Sequence, residues 1–475
     1  MAHLQELGQT EAAKIGEDLH RFATSLYPIC RSISGDGIRR TLAMIRERIP
    51  LRIVEVPTGT SVFDWTVPKE WNIQDAFIKT PAGKRVVDFR KCNLHVLNYS
   101  TPVHATMPLG ELRSHLFTIP EHPDWIPYRT SYYKEDWGFC LSHNQMMALE
   151  DGEYEVCIDS SLKDGQLTYG ECYVPGRSAD EVLISCHACH QSLANDNLSG
   201  LAVATFLAQS LSGRDLRYSY RFLFIPGTIG AITWLAQNQE TAKRIRHGLV
   251  LTCLGDQGQF HYKKSRRGNT GIDRAVAHVL THTSEAPEIL EFSPYGYDER
   301  QYCSPGVNLA VGCLMRSVWG TFPEYHTSAD NLEFIRPLQL AGSLQVCAAV
   351  LDVLERDRRY RNLNPYCEPQ LGRRNLYGSI GGEPIGAQIN ARLWVLNLSD
   401  GEHSLLDIAE RSGLLFSLIS EAADLLCKNG LLSVMADDGG EVETFGEAPR
   451  EDSVDRAEPG SFCIKGKGKS VSNGS

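Results

Sequence analysis

From residue 181 onward the apolar positions fall into two alternating rhythms. EVLISCH (181–187), YRFLFIP (220–226), HGLVLTCLGD (247–256) and PGVNLAVGCLM (305–315) are short, nearly unbroken apolar runs. They read as strands covered on both faces, where the usual in-out alternation is lost. Between and after them LSGLAVATFLAQSLSG (198–213), TIGAITWLAQNQETAKRI (228–245), a stretch at about 272–284 and PLQLAGSLQVCAAVLDVLERD (337–357) carry apolar residues at helical spacing. Strand and helix in alternation predict a mainly parallel α/β sheet with helices on both faces, and sites at the carboxyl ends of its strands. QTEAAKIGEDLHRFATSLY (9–27) and IRRTLAMIRERI (38–49) predict two further helices. From about 52 to 150 the runs are short, alternating and broken by Pro, Gly and Asn, the pattern of a β-rich segment.

The domains expected are an α/β domain from 1–55 plus 150–360 and an inserted β-rich domain at 56–149. A Gly/Pro/Asn-rich linker at 361–388, a winged helix at 389–447 and a disordered tail at 448–475 complete the chain. The helix expected to read DNA, SLISEAADLLCKNG, carries Glu421 and Asp424 against Lys428 alone. Base and phosphate readers need Arg, Lys, Asn or Gln, so packing or homo-oligomer contact is the expected role of the winged helix or the insertion, with no nucleic-acid partner.

Among 475 residues the net charge is −11, which disfavours a polyanion partner for the chain as a whole. The start MAHLQELGQTEAAKIGEDLHRF lacks a basic, then apolar, export segment, and no run of about 18 uninterrupted apolar residues exists. A cytoplasmic location without membrane insertion is therefore expected, with the 14 cysteines reduced and mostly small core residues.

SCHACHQSLANDNLSG (185–200) carries the chemistry. CHACH has the spacing of a haem attachment site, but the expected compartment and the preceding strand argue against it, and a zinc knuckle lacks its second pair nearby. His187 and His190 lie across a strand-end loop from Asp196, and all three can reach one point; imidazole with carboxylate suits a metal. Asp196 alone would read as a helix cap. About 130 residues on, FPEYHTSADN places Tyr325 and His326 before another helix.

The order of these segments (a strand ending in His, ANDNLSG opening a helix, a strand ending at Asp, PGVNLAV, then YHTSADN) resembles the zinc aminopeptidase family with two co-catalytic metals. More closely it is similar to bacterial aminopeptidase-like proteins with an inserted β domain and a C-terminal winged helix. ICRSISGDG, VFDWTVPKEW, SRRGNTGIDRA and NPYCEPQLGRR carry that likeness, which spans about residues 10–440. It implies a three-layer sheet of zinc-exopeptidase type and hydrolysis of a peptide or aminoacyl substrate. It also implies that Asp196 is the bridging carboxylate, His326 the late histidine ligand, His187 the early one and Asp256 the later aspartate. Two positions depart from the family. Cys189 stands where an aspartate follows the early histidine, and Gly227 and Thr228 stand where two adjacent glutamates supply the base and a ligand. One zinc is therefore expected, held by His190 or His187 with Asp196 and His326. Glu299 and Asp298 in YGYDERQ are the candidate bases, Arg266 and Arg267 the candidates for a substrate carboxylate, and Tyr325 a further candidate for substrate binding. The missing glutamates leave a catalytically inactive binding protein as the alternative, with a winged-helix DNA-binding regulator behind it.

Overall fold

The computed structural model describes residues 8–377 and 386–435; the tail expected at 448–475 lies outside them. Eight strands form one mixed sheet, in the order Arg52–Pro57, Gln166–Val174, Ser219–Ile225, Glu181–His187, Ile245–Leu251, Val311–Met315, His261–Lys263, Glu288–Leu290. The four central strands run parallel, and an antiparallel neighbour flanks them on each side. Every residue of Glu181–His187 and Ser219–Ile225 is buried, which is why both read as continuous runs. The charges caught there are paired: Arg221 binds Glu181 at 2.6 Å and also bonds Glu171.

The connections explain where a site can form. Glu181–His187 passes through helix Gly200–Leu211 to its neighbour Ser219–Ile225. That strand passes through helix Ile229–Gln237 to Ile245–Leu251, on the other side of Glu181–His187. Right-handed crossovers in opposite directions put the two helices on opposite faces and open a crevice at the carboxyl ends. Helix Gly200–Leu211 packs with Gln9–Leu26 and Pro337–Arg356. The last of these is long and apolar enough to cross a membrane, but most of its apolar stretch is buried inside the domain.

The insertion forms a four-stranded antiparallel sheet, in the order Arg85–Asp88, Glu70–Lys79, Glu153–Lys163, Val103–Pro108. Its expected end at 149 falls one strand short, because Glu153–Lys163 pairs along its length with Glu70–Lys79. The chain then turns straight into Gln166–Val174 of the main sheet.

The stretch expected as a linker, 361–388, begins inside structure. Arg359–Asn362 is the middle strand of the winged helix, between Asp400–Ser404 and Leu432–Val434. Helices Ala387–Leu398, Leu405–Ser412 and Phe416–Lys428 pack on one another beside it. The module is docked. Arg274 reaches Asp407 at 2.6 Å, Arg356 reaches Asp424 at 2.7 Å, and the Phe416 N–H donates to His278 Nε2 at 3.1 Å.

Candidate metal centre

His187 closes its strand, and the loop after it carries His190 back over the strand end before Ala194–Ser199 leads into helix Gly200–Leu211. Asp196, fully buried, is the hub. Its Oδ1 lies 2.9 Å from His187 Nε2, and its Oδ2 lies 3.1 Å from His190 Nδ1 and 3.0 Å from His326 Nε2. The His190 and His326 rings are 5.0 Å apart, and those of His187 and His190 4.7 Å. Both early histidines and the late one therefore converge, where the sequence left His187 and His190 as alternatives. Donor atoms of His187, His190 and Asp196 all fall within 4.8 Å of one another. Three imidazoles and one carboxylate in a buried cluster fit zinc, and any three of them leave a position for water.

Burial raises the Asp196 carboxyl, but the His190 and His187 imidazoles outweigh it and hold it well below the usual range. Burial lowers His187 and His326. The same carboxylate holds His190 well above its ordinary value despite burial.

Further residues brace the cluster. Tyr297 donates its hydroxyl to Asp196 Oδ2 at 2.7 Å and stacks on His187 with centroids 4.4 Å apart. Tyr325 stacks on His326 at 3.9 Å and bonds Tyr297 through its hydroxyl at 2.8 Å. Asp330 accepts the backbone N–H groups of Asn195 and Asp196 at 2.6 and 3.0 Å. From the insertion, the Tyr128 ring stands 5.0 Å from both His190 and His326, and its N–H donates to the His326 carbonyl. Arg31, buried and in no ion pair among the described residues, donates Nε to the His190 carbonyl at 2.8 Å. Tyr297, Tyr128, Arg31, Thr252 and Asp330 were assigned no role at the site from the sequence. Tyr297 sits beside the acids of YGYDERQ, Asp330 inside YHTSADN and Arg31 inside ICRSISGDG, so three of the five lay within motifs already singled out.

Asp256 does not join the cluster. Thr252 follows the strand Ile245–Leu251 and brings its hydroxyl to 3.4 Å from Asp196, while Asp256, four residues on, turns aside. It accepts from Asn195 Nδ2 and Ser317 Oγ, both at 2.7 Å, and so holds the Asp196 loop from outside.

The two candidate bases part company. Glu299 is locked to buried Lys263 at 2.8 Å. Asp298 is fully buried, and neither of its oxygens has a hydrogen-bond partner. Burial, reinforced by Glu299, raises it to about 8. Its Oδ1 lies 3.7 Å from where a Cβ on Gly227 would stand, a point 3.1 Å from His187 Cβ. The carboxylate thus borders the space that a longer side chain at Gly227 would enter.

Arg266 and Arg267 are elsewhere. His261–Lys263 runs antiparallel to Val311–Met315, so the chain after it returns to the amino ends of the parallel strands. There Arg266 bonds Asn308 at 3.0 Å. Arg267 is among the charges that, after burial, depress His247 near the start of Ile245–Leu251. At about 3.3 Å per residue, that strand separates it from the cluster by roughly 20 Å.

The family whose sequence model matches residues 20–357 is described as a domain of unknown function, DUF4910, and residues 358–434 match a winged helix-turn-helix family. A Clostridium acetobutylicum protein named for polysaccharide biosynthesis and an aminopeptidase-like domain is 51% identical, covering 89% of this chain and 98% of its own. The chain belongs to this aminopeptidase-like family. A crystal structure from the same organism, described as a peptidase, matches with TM-score 0.86 at 50% identity over 90% of this chain and 98% of that one. A zinc aminopeptidase of Bacillus subtilis matches with TM-score 0.52 at 13% identity, over 72% of this chain and 94% of its own. At that identity the shared feature is the α/β fold of zinc exopeptidases.

Proposed function

We propose that the protein is a metal-dependent hydrolase of aminopeptidase type, holding one zinc and cleaving an amide bond in a peptide or aminoacyl substrate in the cytoplasm. The observation that carries this is the meeting of His187, His190 and His326 on Asp196. When bound, zinc supplies a Lewis acid for a carbonyl oxygen and makes water more acidic. The chain's residues do the rest. Asp196 and the imidazoles hold the ion, and Tyr297 fixes the Asp196 carboxylate through its hydroxyl. Asp298, buried without partners beside Gly227, receives the proton that the family's glutamate takes elsewhere. Glu299 is spent on Lys263 and positions the loop.

Gly227 and Thr228 favour one rival reading, a metal-bearing binding protein without turnover. Purified protein assayed on aminoacyl-anilide and dipeptide libraries, with zinc measured on the same sample, separates the two. Release of free amine at one zinc per chain supports the hydrolase; full metal content without release defeats it.

A further inference from the structure

The hairpin Ser61–Val62/Trp65–Thr66 in the insertion overhangs helix Ile229–Gln237 and encloses a groove of about 430 Å³ with it. Its large side chains face water: Phe63 is 57% exposed and Trp65 44%, and Tyr133, in edge contact with Trp65 at 5.4 Å, is 51% exposed. Phe63 and Tyr133 both sit at positive φ, +55° and +65°. Bulky residues rarely adopt that conformation. Phe63 opens the two-residue hairpin loop, where the turn itself calls for positive φ and holds the ring outward. A line of tyrosines leads from the platform towards the metal centre, while Gly306, Val307 and Leu309 of the groove flank Asn308 at the amino ends of the parallel strands. Tyr132, next to Tyr133, bonds the Tyr128 hydroxyl at 3.0 Å, and the Tyr128 ring stands against His190 and His326.

We propose that this platform and groove bind a pyranose chain, the part of the substrate remote from the scissile amide. A pyranose presents an apolar C–H face that lies flat on an aromatic ring and is drawn to its negative π face. Its edge hydroxyls need acceptors and donors in the plane, and Asp64, Gln239 and Gln301 line the groove with both. The proposal depends on the hydrolase reading only for where the amide would lie.

Titration of the full chain with chitotetraose and with cellotetraose, followed by tryptophan fluorescence and saturation-transfer NMR, tests it. Saturable binding of at least one tetrasaccharide is expected, weakened about tenfold or more by Trp65→Ala, as loss of an aromatic anchor does elsewhere. Phe63→Ala should act in the same direction. His326→Ala should bind the sugar unchanged while losing metal, so the sugar site stands or falls apart from the hydrolase reading. No binding of either sugar, equal binding by Trp65→Ala, or a monomer–dimer equilibrium that Trp65→Ala abolishes would each overturn the proposal, the last by making the groove a self-association face.

Discussion

His326 Nε2 and Asp196 Oδ2 stand 3.0 Å apart across 130 positions of chain. The contact joins the loop after the last parallel strand to the loop after Glu181–His187, and with His187 and His190 it gathers three imidazoles around one carboxylate.

Removing single donors reads out which of them hold the ion. His326→Ala and Asp196→Asn are expected to lose zinc on dialysis against a chelator that the parent protein survives. His190→Ala should lose it too. Plasma emission spectrometry checks this, and full retention in His190→Ala would reduce the set to His187, Asp196 and His326.

Asp256 is expected to act from outside the ion. Asp256→Asn keeps a carbonyl oxygen but forfeits part of the bonding to Asn195, Ser317 and the Gly258 N–H. It should retain metal at about 10- to 100-fold weaker affinity, the usual effect of an outer partner. Its thermal unfolding should show a loss of about 1–3 kcal/mol for buried groups left unpaired.

Asp298 yields a pH signature. Burial raises its folded pKa to about 8, whereas an unfolded aspartate titrates near 3.9. The folded state therefore binds more protons between those values. The resulting stability is present in full below about pH 4 and is lost as pH rises through about 8. Chemical denaturation of metal-free protein between pH 6 and 9 should show this decline, and Asp298→Asn should flatten it. If Asp298 receives the reaction proton, Asp298→Asn also lowers kcat by about 100-fold or more. A variant with normal turnover removes it from that role.

His278 ties the winged helix to acid sensitivity. Burial, then His282, lowers it to about 4, and its neutral Nε2 accepts the Phe416 N–H. The unfolded imidazole binds a proton near 6.5, so here the unfolded state takes up more protons and stability falls as pH drops from about 6.5 to 4. Protease cleavage between the domains should accelerate over that range. His278→Gln, which has an amide oxygen to accept the bond, should blunt the dependence; cleavage independent of pH in the parent would count against the contact.

How much was legible follows from the range of each interaction. The unbroken apolar runs EVLISCH and YRFLFIP announce central strands because burial on both faces constrains every position locally. For the same reason the alternation of strand and helix announced the α/β domain, and the short motifs around 187–196 and 326 named the donors. Domain edges were less legible. Glu153–Lys163 looks like any alternating strand, and only pairing with Glu70–Lys79 assigns it to the insertion. Arg359–Asn362 joins the winged helix through partners about 40 and 70 positions away in the chain.

The sequence by itself determined the residue types able to hold a metal and the strand ends that present them, because both are set by neighbours within a few positions. Tertiary structure alone decided that His187 and His190 share Asp196, that Asp256 turns away, that Asp298 is free while Glu299 is paired, and that Arg266 and Arg267 lie at the opposite end of the sheet. Those outcomes depend on the direction in which each strand is laid into the sheet, and strand direction is set by contacts between segments far apart in the chain.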